Sequence, residues 1–308
     1  MRPNSRLTVI MNEASGGAAN HPDLEVAIDR TGLDVQFLRV KGAEVQREAE
    51  RAAVSGRTLI AAGGDGTVST VASVAVRTGA IFGVVPLGTL NHFARDAGIP
   101  TSIDAAVAAI ARGYTRAMDV GEVNGQTFLN NASLGIYPHL VWERETERCR
   151  GRGKWTAFSL ALVRTWHRYP TVMVRMTVGD VHLAQRTPFV FVGNGEYRAE
   201  GLGLGTRASL NGGRLSIYLA PDYGRFEILT LPFRAVAGRL SRDVKFEAFF
   251  APAVVLEAVR VPHWWFRTQG SAQPADTIAL DGELADLKRP LRFAVLPNAL
   301  CTIVPEVT

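Results

Sequence analysis

The first part of the chain, up to Asp119, alternates short apolar runs with segments of helical periodicity. The strand-like runs are Leu7–Asn12, Val35–Val40, Thr58–Ala62 and Ala80–Leu87, and the helical segments are Glu44–Val54, Thr67–Arg77 and Thr101–Arg112. Strands separated by helices form βαβ units with a mainly parallel sheet. We therefore predict an α/β domain here.

Beyond Asp119 the pattern changes to short alternating runs broken by Gly, Asn and Pro, which is typical of an antiparallel sheet or sandwich. The runs are Thr127–Ala132, Thr171–Val178, Pro188–Asn194, Arg214–Ala220, Lys245–Phe250, Ala253–Arg260, Thr277–Leu280, Leu291–Leu296 and Ala299–Val304. We predict domains over residues 1–122 (α/β) and 123–290 (β-sandwich), with a closing segment, 291–308, that is free to return to the first domain.

One helical segment, Gly153–Arg168, interrupts the second domain. Four apolar side chains share one of its faces at helical spacing, with basic residues around them: Trp155, Phe158, Leu162 and Trp166. Two interpretations stay open. The helix lies in a membrane interface, or it packs on the sandwich with a solvated basic rim.

Composition sets limits on the class of protein. The 308 residues are 47% hydrophobic and 20% charged, which indicates a folded globular chain. A net charge of +5 and a pI of about 9.5 suit an anionic partner without choosing among nucleotide, nucleic acid and acidic membrane. Cys149 and Cys301 are far apart and are read as free thiols of a reducing compartment. Without a signal peptide or an apolar stretch of ~20 residues, we expect a cytoplasmic protein with at most peripheral membrane contact.

The residues Ala61–Thr67 follow an apolar run and contain Gly63, Gly64 and Gly66 around Asp65. Glycines let the backbone approach phosphate groups, N–H groups at a helix start bind them, and a carboxylate can hold the accompanying metal. The segment lacks the lysine of the commonest phosphate loop. The segment predicts a polyphosphate site. The charge of the phosphate groups must then be neutralised by the backbone, a metal and residues elsewhere in the chain.

Two further segments belong to the same prediction. Asn12 and Gly88–Asn91 also follow strands, and the carboxyl ends of parallel strands share one edge of a sheet. By contrast, Gly201–Ala208 matches Gly-x-Gly-x-x-Ala but neither follows a clear strand nor opens a clear helix. We interpret it as a flexible loop.

Four motifs in order carry a resemblance to a known family: Gly63–Thr67, Pro86–Arg95, Asn130–Gly135 and Asp281–Glu283. The chain resembles the diacylglycerol kinase catalytic family of soluble bacterial lipid kinases, which also includes sphingosine and ceramide kinases. The first motif alone is shared with NAD kinases.

The resemblance implies an α/β nucleotide-binding domain, an antiparallel β-sandwich and an active site in the cleft between them. It implies ATP and Mg²⁺ as co-substrates, with Glu283 as the base that accepts the lipid hydroxyl proton. Asp65, beside the glycines, is our candidate for the metal contact. Asp281 and Asp65 complete the expected catalytic set. The expected nucleotide-binding residues are Asn12, Ser15, Gly63, Gly64, Asp65, Gly66, Thr67, Val68, Ser69, Thr89 and Asn91.

Several of these residues also have a structural interpretation. Asp65 and Thr89 are suited to capping a helix, and Asn91 to bracing its loop. His92 is read as a loop or helix-surface residue. Asp281–Glu283 also reads as a plain β-turn with Gly282 at the positive-φ position.

The chain departs from the family pattern at several positions. Ser69-Thr70 replaces Asn-Glu, His92 replaces an aspartate, and Glu13 replaces a proline. Gly212-Gly213 replaces an Asp-Gly pair that bacterial members link to a structural Mg²⁺. Because Mg²⁺ prefers hard oxygen ligands, that site is not carried over.

These observations predict a lipid kinase acting on a membrane-derived lipid, most simply diacylglycerol, with phosphatidic acid as product. A ceramide or long-chain-base kinase is the alternative within the class. A soluble NAD kinase-like enzyme and a non-catalytic lipid or nucleotide sensor are the rivals outside it. We expect peripheral contact with a membrane, no nucleic-acid partner, and assign no oligomeric state.

Overall fold

A computed structural model describes residues 6–13, 22–135, 137–138, 141–142, 172–200, 203–207, 209–220, 247–260 and 277–306. The predicted helix Gly153–Arg168, Ser15 and Cys149 lie outside these ranges. Cys301 is a free thiol, as expected. Within the described part of the chain, no helix has the length and apolar character to cross a bilayer.

The N-terminal half contains the predicted parallel sheet. Its strands are β1 (Arg6–Asn12), β2 (Asp34–Val40), β3 (Thr58–Gly63) and β4 (Phe82–Pro86), in the order β2-β1-β3-β4. All of these pairs are parallel. Every residue of β3 and β4 is buried, which explains why these strands are continuous apolar runs instead of alternating ones.

Helices cover both faces of this sheet. They are α1 (Pro22–Asp29), α2 (Val45–Val54), α3 (Asp65–Thr78), α4 (His92–Asp96) and α5 (Ile103–Arg112), and a 3-10 turn, Gly42–Glu44, precedes α2. Apolar side chains of α2 and α3 pack on one face, and those of α1 and α5 pack on the other. The α/β domain is therefore a three-layer structure.

The rest of the chain is almost entirely antiparallel. Its strands are β5 (Thr115–Val123), β6 (Gln126–Phe128), β7 (Asn131–Gly135), β8 (Val172–Val178), β9 (Val181–Thr187), β10 (Phe189–Asn194), β11 (Tyr197–Glu200), β12 (Gly203–Arg207), β13 (Leu215–Leu219), β14 (Glu247–Ala251), β15 (Ala253–Arg260), β16 (Thr277–Leu280), β17 (Glu283–Asp286) and β18 (Leu291–Ile303).

The last strand, β18, connects the two halves of the protein. The two predicted runs at the end of the chain form this single strand, whose register shifts between Leu296 and Leu300. Its first part pairs with β15, and Thr302 near its end pairs in parallel with Phe82 of β4. The sheet thus continues from its parallel part into β18, β15, β8 and β9.

A second sheet, in the order β14-β13-β10-β7-β16-β17, packs on the antiparallel part of the first and completes the predicted sandwich. Fully buried side chains fill the space between them, including Phe128, Leu134, Met176, Leu215 and Phe293. The rings of Phe128 and Phe293 meet edge to face at 6.4 Å.

Two local predictions are wrong. Gly201–Ala208 is not a flexible loop, because Gly203–Arg207 forms β12 and pairs with β11. Thr127–Ala132 is not one strand, because β6 ends at Phe128 and β7 begins at Asn131. The intervening N–H groups bind the distant carboxylate of Asp281 instead of a neighbouring strand.

Candidate active site

Two glycine turns meet at the carboxyl edge of the parallel sheet. Gly64 has an extended backbone between the end of β3 and the start of α3 at Asp65, two residues earlier than predicted. A Cβ placed on Gly88, after β4, would lie 2.6 Å from Gly64 Cα. The two turns therefore pack backbone against backbone. The first N–H groups of α3, which lack intrahelical partners in any helix, lie at this edge.

The carboxylate of Asp65 ties the two turns together. Its Oδ1 accepts the N–H of His92 at 2.8 Å, and its Oδ2 accepts the N–H of Asn91 at 3.1 Å. The Asn91 side chain accepts from Gly88 N at 3.0 Å and donates to Gly88 O at 2.8 Å. Asn91 thus braces its own loop, and Asp65 anchors the start of α4.

A tight hairpin from the sandwich faces these turns. Asp281 and Gly282 link β16 to β17 with φ values of 48° and 87°, the pattern of a type I′ turn, and Leu280 pairs with Glu283. A glycine suits the second of these positions because it adopts positive φ without strain. The hairpin places Asp281 and Glu283 at the mouth of the cleft.

Asp281 is fully occupied by hydrogen bonds. Its Oδ1 accepts N–H groups of Asn130 at 2.7 Å and Asn131 at 3.1 Å. Its Oδ2 accepts the N–H of Leu129 at 2.8 Å and the hydroxyl of Ser69 at 2.6 Å. Because Ser69 belongs to α3, this carboxylate joins the α/β domain to the sandwich.

Glu283 lies across the cleft from the first turn of α3. A Cβ on Gly66 would lie 2.3 Å from Glu283 Oε1, so the carboxylate sits in space that only a glycine leaves open. The residue as a whole is exposed, but its carboxyl faces the cleft. Partial burial there raises the pKa of Glu283 above its ordinary value, and the negative charge of Asp281 adds to the effect.

Two cavities share the Glu283 side chain. The first, of about 470 Å³, is lined by Asn12, Gly42, Val45, Gly64, Asp65, Gly66, Thr67, Thr70, Gly88, Thr89 and Glu283. The second, of about 360 Å³, is lined by Gln46, Ser69, Thr70, Ser73, Arg77, Gly125, Gln126, Thr127, Leu280, Asp281, Glu283, Leu284 and Ala285. Thr70 and Glu283 therefore stand at the boundary between them.

The residues predicted from the sequence divide between these places. Six of the expected nucleotide-binding residues line the first cavity: Asn12, Gly64, Asp65, Gly66, Thr67 and Thr89. Ser69 and Asp281 line the second cavity. Gly63 and Val68 are buried behind the turn. His92 is exposed, as expected, and also lines a third cavity of about 200 Å³.

Sequence reasoning missed Gly42, Val45 and Thr70 as lining residues. Gly42 opens the turn after β2 and Val45 opens α2, and β2 is a parallel strand whose carboxyl end lies at the same edge. Because they follow the carboxyl end of a predicted parallel strand, these two residues could have been predicted from the sequence to line the site. Thr70 faces the cleft because it lies one helical turn beyond Gly66, whose carbonyl accepts its hydroxyl at 2.9 Å.

Comparison with known proteins agrees with this geometry. The diacylglycerol kinase catalytic domain family matches residues 6–123, and the YegS C-terminal NAD kinase β-sandwich-like domain matches residues 140–304. A Pseudomonas aeruginosa protein named "Probable lipid kinase YegS-like" is 32% identical over 85% of this chain and 82% of its own length. A Pectobacterium atrosepticum protein of the same name is 29% identical over 99% of this chain and 98% of the relative.

The fold is shared with a solved structure of a diacylglycerol kinase from Bacillus anthracis, with a TM-score of 0.69 at 22% identity and 97% coverage of each chain. An α/β domain and a β-sandwich that meet at a glycine turn and a carboxylate hairpin define the class as a lipid kinase. The chain belongs to the diacylglycerol kinase-related family of YegS-like lipid kinases.

The structural Mg²⁺ site of bacterial relatives does not fit this chain. Gly212 and Gly213 contribute no side-chain oxygen. The nearby carboxylate of Asp119, which is buried, instead accepts Gly213 N at 2.8 Å and Asn298 N at 2.9 Å, one on each oxygen. Asn211 adds a hydrogen bond to the carbonyl of Ala117 at 2.6 Å. Direct hydrogen bonds hold this loop.

We predict that Mg²⁺ alone does not stabilise the fold, because the loop needs no metal bridge. In thermal unfolding without nucleotide, millimolar Mg²⁺ and excess EDTA should give the same midpoint. The variant Asp119→Asn should lose about 1–3 kcal/mol of stability, since it disturbs buried charge-assisted hydrogen bonds. A Mg²⁺-dependent rise of several degrees that persists in Asp65→Asn would contradict this.

We also predict that Gly66→Ala separates activity from stability. The new methyl group would displace the Glu283 carboxylate, which lies at the end of a side chain, but it meets no backbone atom across the cleft. The free energy of unfolding should change by less than about 1 kcal/mol, while kcat should fall by about 10–10²-fold through misplacement of that group. The matched control is Gly212→Ala, whose Cβ would have its nearest neighbour at 4.0 Å. Equal turnover by both variants would refute the assignment.

Proposed function

We propose that the protein transfers the γ-phosphate of ATP to a hydroxyl of diacylglycerol and forms phosphatidic acid, with Mg²⁺ as the accompanying cation. One observation carries the proposal. The Glu283 carboxylate has no hydrogen-bond partner among the described residues. It faces the first turn of α3 at a cavity of about 470 Å³. Phosphoryl transfer requires this pairing of a phosphate-binding turn with a nearby base.

The phosphate groups would lie in the first cavity, against the turn from Gly64 to Thr67. N–H groups at a helix start and a close-packed glycine backbone suit anionic oxygens. No lysine or arginine lines this cavity among the described residues. Neutralisation of the triphosphate charge then falls to backbone N–H groups and a divalent cation.

The donor set fits a substrate-bound Mg²⁺. The described residues contain no cluster of three His, Cys, Asp or Glu that would form a dedicated metal site. Mg²⁺ is commonly held by one or two carboxylates together with substrate phosphates. Asp65 uses each oxygen for one N–H and keeps lone pairs directed elsewhere, so it would hold the cation with Glu283 nearby. When bound, the cation neutralises charge on the transferring phosphoryl group.

Glu283 would act as the general base. A hydroxyl at the boundary of the two cavities would give its proton to the Glu283 carboxylate as its oxygen attacks the γ-phosphorus. The bond from that phosphorus to the β–γ bridging oxygen would break, and ADP would leave with that oxygen. Burial, with the charge of Asp281, raises the pKa of Glu283, and a carboxylate with a higher pKa is a stronger base than an ordinary glutamate. Asp281 has both oxygens engaged, so its proposed role is to hold the hairpin that carries Glu283.

Diacylglycerol is proposed as the acceptor because the catalytic-domain match and the named structural neighbour are diacylglycerol kinases. Ceramide and long-chain bases are the alternatives, since they present a hydroxyl of similar chemistry. An acceptor that resides in a bilayer also implies peripheral contact of the enzyme with the membrane.

The substrate experiment uses purified protein, labelled ATP and Mg²⁺ with mixed micelles of diacylglycerol, ceramide or sphingosine, and with NAD as a soluble acceptor. We expect label in phosphatidic acid at a rate well above that of any other product. Label confined to ceramide or sphingosine would show that the acceptor is a sphingolipid and not diacylglycerol. Label confined to NAD would refute the proposal.

The base assignment predicts that Glu283→Gln loses about 10²–10⁴-fold in kcat. Wild-type activity should rise with pH through an apparent pKa above the ordinary glutamate value of 4.5, because only the ionised carboxylate accepts a proton. This acid limb should disappear from the residual activity of the variant.

The contribution of Glu283 to folding stability should fall as pH rises, whereas its contribution to activity rises. A folded-state pKa above the unfolded one means that the protonated carboxyl favours the folded chain, and this contribution is lost as pH rises through the folded pKa. A neutral glutamine should therefore leave the melting temperature at pH 8 unchanged or higher. Glu257→Gln, at an exposed position on β15, is the control for both measurements. Full activity of Glu283→Gln would remove Glu283 from its role.

A further inference from the structure

Arg207 is a buried cation that lies outside the two cavities shared by Glu283. It ends β12, and its side chain has no exposed surface. Its Nε donates to Asp96 Oδ2 at 2.7 Å, and the Asp96 side chain is only 9% exposed. A buried ion pair is a weak source of stability, because desolvation offsets most of the attraction. The Arg207–Asp96 pair is therefore better explained by the segments that it holds in position.

Beyond Asp96, the guanidinium group contacts two further segments of the chain and one aromatic ring. Its terminal nitrogens donate to Leu129 O, to Asn194 O at 3.2 Å and to Asn130 Oδ1 at 3.1 Å. It also lies 5.8 Å from the ring centroid of Tyr197, whose hydroxyl donates to Asn130 O at 2.8 Å. One planar group therefore fixes the end of α4, the 129–130 segment and the end of β10.

Two of these parts hold the carboxylates of the site. Asp96 ends the five-residue helix α4, and the N–H of His92 at the start of that helix binds Asp65. The N–H groups of Leu129 and Asn130 bind Asp281, which is separated from Glu283 only by Gly282. A shift of α4 or of the 129–130 segment would be passed directly to a site carboxylate.

We propose that Arg207 is a positioning residue for phosphoryl transfer and sets the spacing between Asp65 on one wall of the cleft and Glu283 on the other. The inference rests on the proposed roles of these two carboxylates. It requires arginine in particular, because a guanidinium donates in several fixed directions while an ammonium group acts as a single point charge.

The test compares Arg207→Lys with Arg214→Lys, the same change at an exposed position just before β13. We expect Arg207→Lys to lose about 10²-fold in kcat, the size of effect that small misplacements of reacting groups produce. The KM for ATP should change by less than about threefold, because Arg207 contacts no residue of the turn from Gly64 to Thr67 directly. Arg214→Lys should match wild type.

A second variant approaches the same link from the other side. Asp96→Asn keeps a hydrogen-bond acceptor of the same size but removes the charge. Like Arg207→Lys, it should lower kcat. If either variant is poorly folded, the other decides. Wild-type kcat in a folded Arg207→Lys or Asp96→Asn protein would overturn the proposal.

The double variant of Arg207 and Glu283 distinguishes a positioning role from general damage to the fold. In a Glu283→Gln background, Arg207→Lys should lower kcat by less than about threefold, because one of the two carboxylates whose spacing it sets has already been removed. An undiminished, multiplicative loss in that background would show that Arg207 does not act through Glu283.

An activity-independent measurement keeps this proposal distinct from the proposed function. Backbone amides of His92, Asn130 and Asn131 donate to the site carboxylates, so their hydrogen exchange should quicken in Arg207→Lys and stay unchanged in Arg214→Lys. Unchanged exchange would refute the bracing role. If wild type phosphorylates no lipid, the proposed function fails, while the exchange result still decides whether Arg207 braces the two loops.

Discussion

The carboxylate of Asp281 is the interaction on which the geometry of the site depends. It accepts three backbone N–H groups from residues 129–131, at the start of β7, and the hydroxyl of Ser69 from α3. Hydrogen bonds to a charged acceptor are about twice as strong as neutral ones. A single side chain on a two-residue turn thus fixes the sandwich hairpin against the α/β domain and brings Glu283 opposite Gly66.

The three acidic residues of the cleft have different surroundings, and these surroundings suggest different roles. Asp281 is saturated with donors, and Asp65 accepts one N–H on each oxygen. Glu283 receives no hydrogen bond among the described residues, and partial burial raises its pKa. A carboxylate that is not engaged elsewhere is the one available to a substrate hydroxyl, which is why the base is assigned to Glu283 and not to Asp281.

Two departures from the family pattern lie at places where the structure makes direct hydrogen bonds. Ser69 stands where relatives have asparagine, yet its hydroxyl makes the contact that joins the domains. Gly212 and Gly213 leave no ligand for a structural metal, and Asp119 holds the same loop through backbone N–H groups. In both places the departure from the pattern is accompanied by a direct hydrogen bond.

The sequence by itself determined the fold class of each domain and the edge at which the glycine turn lies, but it did not predict α1, β5, β9, β11 or β17. Apolar periodicity and glycine position are local properties, so Gly64–Thr67 and Asp281–Glu283 are recognisable without a structure. Only the tertiary structure decided which carboxylate braces and which remains unengaged, that Gly203–Arg207 is a strand, and that Arg207 pairs with Asp96. The contacts of Arg207 with Asp96 and of Asp281 with Ser69 join groups 111 and 212 residues apart in the chain, whose meeting is fixed by packing and not by any local pattern.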